Sequence, residues 1–192
     1  MHPALQLNDK ALLDALLERA GMAMEGANPY ESDGAFARKL LELPVGLRAM
    51  AATYWLDISI SKDDLGWHFL NFGEPLLVRE TEAGLRDLGL EQHAVWFAEA
   101  HSLMRTLLNE IDSPESYYRI TKERGVADPI MEMTKLAWDA DRVAPVSNSC
   151  IFTAWVGYAR AKPQNVFPDN PPAEDTMGHG SRRRCAHGSH EA

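Results

Sequence analysis

Apolar residues recur at three- and four-residue steps along most of the chain up to residue 167, and this is the period of an α-helix that packs on one side. The first stripe follows Asn8, a residue type that caps helix N-termini, and is made of leucines (Leu12, Leu13, Leu16 and Leu17). A stripe between Pro44 and Ile58 places Trp55 in the predicted core. Because no segment alternates apolar and polar residues as a half-buried strand does, the pattern predicts an all-α fold.

Prolines, glycines and short polar residues divide this pattern into about seven to eight helices. Ser113-Pro114 and Asp128-Pro129 each begin a helix, and Asn148 or Ser149 caps the last one. We therefore predict a single-domain helical bundle over residues 1–167. Residues 168–192 carry proline, glycine, histidine and charge without apolar periodicity. Such a segment buries too little surface to offset its ordering entropy, so it is predicted to be a disordered C-terminal tail.

The composition agrees with one compact domain, and its net charge indicates the kind of partner to expect. A chain of 192 residues with 45% hydrophobic residues is long enough to bury a core, and its formal net charge is −9. Residues 57–91 hold eight acidic and three basic side chains, a net of −5. An acidic surface repels nucleic-acid phosphates, so direct nucleic-acid binding is not expected. The charge favours a basic protein as the partner.

Cysteine usage and hydropathy indicate a cytoplasmic protein. The two cysteines, Cys150 and Cys185, form neither a disulfide framework nor a C-x-x-C pair. The N-terminal segment lacks a positively charged start followed by a continuous apolar run, which argues against a secretory signal. No window reaches the roughly 18 apolar residues of a membrane-spanning helix, so no membrane partner is expected.

Familiar catalytic, cofactor and metal motifs are missing from the sequence. His93 and His101 lie eight positions apart on one predicted helix, whereas two ligands on a helix need a spacing of three or four. Cys150 has no nucleophile elbow or positioned base beside it in sequence. Further potential ligands stand in the tail without a fixed geometry (His179, Cys185, His187 and His190). We therefore expect no catalytic residue, no cofactor, no metal site and no enzymatic activity.

The segment from Asp57 to Glu91 joins a turn and an aromatic cluster to the densest acidic patch. Asp64-Leu65-Gly66 is followed by Trp67-His68-Phe69-Leu70-Asn71, and a helix ends at Gly89. This order resembles the bacterial DNA-mimic protein family, in which a hydrophobic helix, an Asn-Gly-Gly turn, an aromatic pair and an Asn precede an Ala/Leu-rich helix. The resemblance covers roughly residues 45–167, and its motifs lie mainly within residues 54–89.

What the resemblance implies is a helical fold and, for some members, binding to a DNA-binding protein by presenting carboxylates where DNA presents phosphates. Most such domains have no assigned activity. The leading hypothesis is thus a non-enzymatic interaction domain whose acidic face engages a basic surface, such as that of a DNA-binding regulator. The predicted partner-binding residues are the eight carboxylates of the segment (Asp57, Asp63, Asp64, Glu74, Glu80, Glu82, Asp87 and Glu91).

An alternative hypothesis of another class uses the same segment as a pocket. Trp67, His68 and Asn71 would then line a site for a small molecule or a substrate. A cleft containing a histidine with a strongly shifted pKa would favour this alternative. A convex ridge of exposed carboxylates would favour the DNA mimic instead.

Overall fold

A computed structural model of the chain describes residues 2–168, and every regular element in that range is helical. The predicted all-α fold is thereby confirmed, with nine α-helices in these residues rather than seven to eight, because short apolar segments also form complete helices. They are α1 (Asp9–Ala23), α2 (Ala35–Leu41), α3 (Val45–Lys62), α4 (Leu65–Phe72), α5 (Pro75–Asp87), α6 (Glu91–Met104), α7 (Pro114–Glu123), α8 (Ala127–Asp141) and α9 (Cys150–Ala161). Three short 3₁₀ helices accompany them (Pro3–Gln6, Leu108–Glu110 and Pro163–Asn165). The disorder predicted for residues 168–192 concerns a segment that, after Pro168, lies outside the described residues.

Helix α3 is the centre of the fold, and it packs against α1, α2, α4, α5, α8 and α9. Its length and its buried face explain this position, since most of its residues from Gly46 to Ile60 are shielded from solvent. The indole Nε1 of Trp155 in α9 donates a 3.0 Å hydrogen bond to Thr53 Oγ1, and both side chains are fully buried. Trp55, predicted as a core residue, is only half-buried, because it borders a cavity.

A close approach between α3 and α5 depends on a glycine. A Cβ atom at Gly84 would lie 3.0 Å from the carbonyl oxygen of Ala49, so no larger residue fits without a shift of the two helices. One turn earlier in α5, Thr81 Oγ1 donates a 3.1 Å hydrogen bond to the carbonyl oxygen of Ala52. Small side chains at these positions therefore allow the two backbones to approach, and the threonine satisfies its buried hydroxyl against the neighbouring helix.

The predicted helix starts agree with the structure to within a residue or two. Asn8 Oδ1 accepts a 2.9 Å hydrogen bond from the Ala11 N–H at the start of α1, and Ser113 forms a capping box at the start of α7. Of the two candidates for the last cap, Ser149 is the one that serves, because its Oγ accepts from the Phe152 N–H. Among the helices between residues 2 and 168, none combines the length and the hydropathy that a bilayer-spanning helix requires.

Candidate functional site

The structure divides the predicted acidic face into buried and exposed members. Asp57 and Glu80 are each only 9% exposed, so these two carboxylates do not belong to an outer surface as predicted. Glu80 lies between Arg48 and Arg79, with N–O distances of 3.8 and 3.3 Å. Helix α3 carries Asp57 on the side that faces α9, and this orientation removes it from solvent. The acidic face is consequently smaller than the sequence suggested.

Four of the remaining carboxylates serve the fold itself. Asp64 caps α4 by accepting from the Trp67 N–H, and Glu74 caps α5 by accepting from the Leu77 N–H. Glu82 and Glu91 both bind the guanidinium of Arg86, at 2.9 and 2.8 Å. Only two members of the segment, Asp63 and Asp87, are exposed and form no ion pair with a described residue.

The three residues of the alternative pocket do not line one cavity. Trp67 lines a groove of about 300 Å³ with residues of α4 and of the segment before α7, whereas Asn71 is exposed to solvent. His68 is 1% exposed, and its ring contacts the rings of Phe69, Phe72 and Phe97. Burial lowers the pKa of His68 to about 3, although a contact with the Trp55 backbone opposes the shift. The shifted histidine thus belongs to an aromatic core.

A second group of chemically active side chains lies where α8 ends and α9 begins. Asp141 is the last residue of α8 and Cys150 is the first residue of α9. The Asp141 carboxylate accepts a 2.7 Å hydrogen bond from the Cys150 N–H, and this bond closes the loop between the helices. Ser147 and Asn148 in the loop have φ angles of 54° and 49°, the left-handed conformation that turns the chain back sharply.

His93, in the first turn of α6, completes this group. One ligand atom from each of His93, Asp141 and Cys150 lies within 4.8 Å of the other two. The His93 side chain is 8% exposed, and its buried Nε2 has no hydrogen-bond partner in the part of the chain that the structure describes. Asp141 and Cys150 are half-buried, so the group is open to solvent on one side. We call His93, Asp141 and Cys150 the polar cluster.

Asp57 and Ser149 support the polar cluster from the interior. The Ser149 hydroxyl donates to Asp57 Oδ1 and accepts a 2.9 Å hydrogen bond from the Phe152 N–H. Burial raises the pKa of Asp57 to about 6, the hydrogen bond from Ser149 lowers it, and the negative charge of Asp141 raises it further. Two carboxyl groups and a thiol thus meet at the N-terminus of α9.

The same electrostatics decide what the polar cluster can do chemically. Burial, followed by the charge of Asp141, raises the pKa of Cys150 to about 11, so at neutral pH the thiol keeps its proton and is a poor nucleophile. Burial lowers the pKa of His93 while Asp141 opposes this shift, which leaves a neutral imidazole. A neutral imidazole with an unpaired nitrogen is the form that ligates metals.

The sequence contains little that would have identified this cluster. Spacing along a single helix argued against His93 as a ligand, and Cys150 offered no motif of its own. The three side chains come instead from three different helices, and the packing of α6 on α8 and of α3 against both α8 and α9 brings them together. The one local signal is the cap at Ser149, which places Cys150 at a helix start.

Comparison of the chain with protein-family models, with curated proteins and with solved structures found no match. The resemblance to the DNA-mimic family therefore stays a prediction from the sequence.

Proposed function

We propose that this protein binds a divalent transition-metal ion, of which Zn²⁺ is the type, through His93, Asp141 and Cys150. The observation that carries the proposal is the convergence of an imidazole, a carboxylate and a thiol from three helices to within 4.8 Å of one another. The proposal departs from the sequence-based expectation of no metal site, which rested on spacing within one helix. A cluster assembled by tertiary packing is not subject to that spacing rule.

The donor set and its dimensions suit zinc. Zinc takes nitrogen, oxygen and sulfur ligands at about 2.0–2.3 Å, so the ligand atoms of a tetrahedral site are about 3.5 Å apart. The side chains of the cluster therefore need movements of only about 1 Å to enclose the ion. A thiolate and an imidazole favour a borderline-soft cation over Mg²⁺ or Ca²⁺, which prefer oxygen ligands.

The surroundings of the cluster also favour a cation. Asp57 and Cys150 both have pKa values above their ordinary ranges, and in both cases the charge of Asp141 contributes. A dication reverses this repulsion, deprotonates the thiol and forms a bond to each donor. The half-buried Asp141 and Cys150 leave a path for the ion from solvent to the buried His93. Three protein ligands leave a fourth position for water, as in catalytic zinc sites.

Titration with Co²⁺, a spectroscopic substitute for zinc, tests the proposal. Before the titration, the potential metal ligands among residues 168–192 are removed by four substitutions (His179→Ala, Cys185→Ser, His187→Ala and His190→Ala). We expect one equivalent of Co²⁺ to bind and to give both tetrahedral visible bands and a near-ultraviolet thiolate-to-cobalt band.

Single substitutions then assign the ligands. Cys150→Ser should remove the near-ultraviolet band, and His93→Gln should weaken binding. His101→Gln, at a second histidine of the same helix, is the matched control and should leave the titration unchanged. An identical near-ultraviolet band in the Cys150→Ser variant would exclude this thiol as a ligand and refute the site.

A second candidate function is association with a basic protein such as a DNA-binding regulator. Asp63 and Asp87 support this function. Both are exposed, neither forms an ion pair with a described residue, and the chain as a whole carries a net charge of −9. Long-range attraction between an acidic surface and a basic one accelerates encounter and is screened over about 10 Å at 0.1 M salt.

The double variant Asp63→Asn with Asp87→Asn tests this second function. A basic partner is captured from native cells at low salt, and its association rate with the variant should be lower than with the wild type. Asp128→Asn with Glu132→Gln on α8 removes the same charge elsewhere and serves as the control. Equal association rates for the two double variants would show that the acidic segment does not steer the partner.

A further inference from the structure

A cavity of about 320 Å³ lies between α1, α2 and α3, on a different part of the molecule from the polar cluster. Helix α1 and the loop after it form one wall, Phe36 of α2 closes a second, and α3 supplies the floor. The lining residues are Leu17, Ala20, Gly21, Met24, Ala27, Phe36, Ala51, Tyr54 and Trp55. The volume lies within the range of small-molecule sites, which begins at about 300 Å³.

The lining defines the chemistry of a ligand. None of the nine lining residues carries a charge, so a charged molecule entering the cavity would lose hydration without gaining an ionic partner. Three of the side chains are aromatic, which suits stacking or edge contacts with a flat ring. Tyr54 and Trp55 have the only side-chain donor groups of the lining, and neither group forms a hydrogen bond with a described residue.

The aromatic side of the cavity is held rigidly by neighbouring rings. Trp55 stacks on Phe72 with a centroid distance of 5.3 Å, and Tyr30 from the loop after α1 contacts both of these rings. Tyr54 contacts Trp155, which is fully buried in the core. A wall that is already ordered loses little conformational entropy when a ligand binds.

We propose that this cavity is a binding site for an uncharged, flat aromatic molecule of about two fused rings that carries a hydrogen-bond acceptor. The rings would pack among Phe36, Trp55 and the aliphatic wall from α1. The acceptor would bind the Tyr54 hydroxyl or the Trp55 indole N–H, the donors that lack a partner among the described residues. The site is independent of the metal ion proposed for the polar cluster.

Gly21 makes it possible to block this cavity without damaging the fold. It lies within α1 and lines the cavity, and a Cβ atom at this position meets no other heavy atom within 4 Å. A leucine at position 21 therefore extends into open space at the cavity mouth. The substitution also replaces a poor helix former by a good one, so the variant is expected to fold.

The matched control is Gly157→Leu. Gly157 is also exposed and helical, in α9, and a Cβ atom there likewise meets nothing within 4 Å. It does not line the cavity. Any general effect of replacing an exposed helical glycine by leucine is thus common to the two variants, and only Gly21→Leu blocks the proposed site.

Fluorescence titration with 6-propionyl-2-dimethylaminonaphthalene, a neutral two-ring ketone, tests the proposal on the full-length protein. We expect one equivalent to bind with a blue-shifted emission, and we expect the affinity to fall at least tenfold in Gly21→Leu and to stay unchanged in Gly157→Leu. The uncharged competitor 2-acetonaphthone should displace the probe at least tenfold more effectively than 2-naphthoate, its carboxylate analogue.

Four results would overturn the proposal. If the probe does not bind the wild type, or binds both glycine variants equally well, the cavity does not take such a molecule. If 2-naphthoate competes as well as the ketone, the site does not select uncharged ligands. If the Gly21→Leu variant instead has a lower sedimentation coefficient than the wild type, the occupant of the cavity is a second copy of the chain.

Discussion

Two buried histidines, His68 in α4 and His93 in α6, share their main local properties but differ in their surroundings. Each is at most 8% exposed, each has a pKa lowered by burial, and each has a buried Nε2 without a partner among the described residues. His68 is enclosed by phenylalanine rings, and its Nδ1 lies 2.9 Å from Ser59 Oγ. His93 shares a half-open cluster with Asp141 and Cys150.

The comparison shows that burial and a shifted pKa do not by themselves identify a functional histidine. A ligand must have other donors beside it and a path to solvent, and only His93 has both. His68 contributes to packing, because its ring fills space among aromatic side chains. The alternative hypothesis for the sequence treated a strongly shifted His68 as a sign of a pocket. The structure associates that shift with a closed core instead.

The largest expected difference between the two histidines is in metal affinity. His93→Gln should weaken binding of Zn²⁺ about 1000-fold, or about 4 kcal/mol, because it removes one of three protein ligands. His68→Gln should leave the affinity unchanged. Competition with a chromophoric chelator measures both values. Equal affinities in the two variants would show that His93 is no more a metal ligand than His68 is.

The next largest effect is on the stability of the metal-free protein, for which His68 should matter more than His93. His68→Ala should lower the free energy of unfolding by about 3 kcal/mol, since it leaves a cavity among packed rings. His93→Ala should cost only about 1 kcal/mol, because its site is already partly open to solvent. Urea denaturation in the presence of a chelator gives both numbers. A larger loss for His93 would mean that the polar cluster is a packing centre.

The dependence of stability on pH should separate His68 from the acidic groups. Its pKa is about 3 in the folded protein and about 6.5 in the unfolded chain, so the unfolded state binds more protons between these values. The stability contributed by this group is therefore complete above about pH 6.5 and is lost as pH falls towards 3. Asp57, with a folded pKa of about 6, acts in the opposite sense between pH 6 and 4.

Removal of the histidine isolates its contribution. The stability of the wild type relative to His68→Gln should fall by about 1.2 kcal/mol when pH drops from 6 to 5, slightly less than the value of about 1.4 kcal/mol for one full proton. Denaturation of both proteins at the two pH values measures how the gap in stability changes with pH. Asp57 titrates in both proteins, so its contribution cancels. A pH-independent gap would show that His68 is not neutral and buried.

The smallest effect concerns the hydroxyl beside His68. Ser59→Ala should cost about 1 kcal/mol, because it removes the hydroxyl that lies 2.9 Å from the buried Nδ1 of His68. Ser61→Ala, two residues along the same helix and exposed, should change stability by less than about 0.5 kcal/mol. If the two variants are equally stable, the Ser59 contact contributes nothing to fixing the ring.

Much of the fold could be predicted from local features. Apolar spacing identified the helices, and the caps at Asn8, Ser113 and Ser149 are contacts between residues three apart. Such features succeed because helix periodicity and capping depend on neighbours within one or two turns. The half-burial of Trp55 could not be read in this way, since a stripe shows which face packs but not how far the packing extends.

By itself, the sequence determined the helical class, the approximate helix boundaries and the excess of acidic residues. Only the tertiary structure decided which of those carboxylates are exposed, for Asp57 faces α9 and Glu80 lies between two arginines. It also decided that His93 meets Asp141 and Cys150 while His68 meets only the core. The physical reason is that burial and ligand geometry are set by the packing of helices distant in sequence, and helical periodicity contains no information about which distant faces meet.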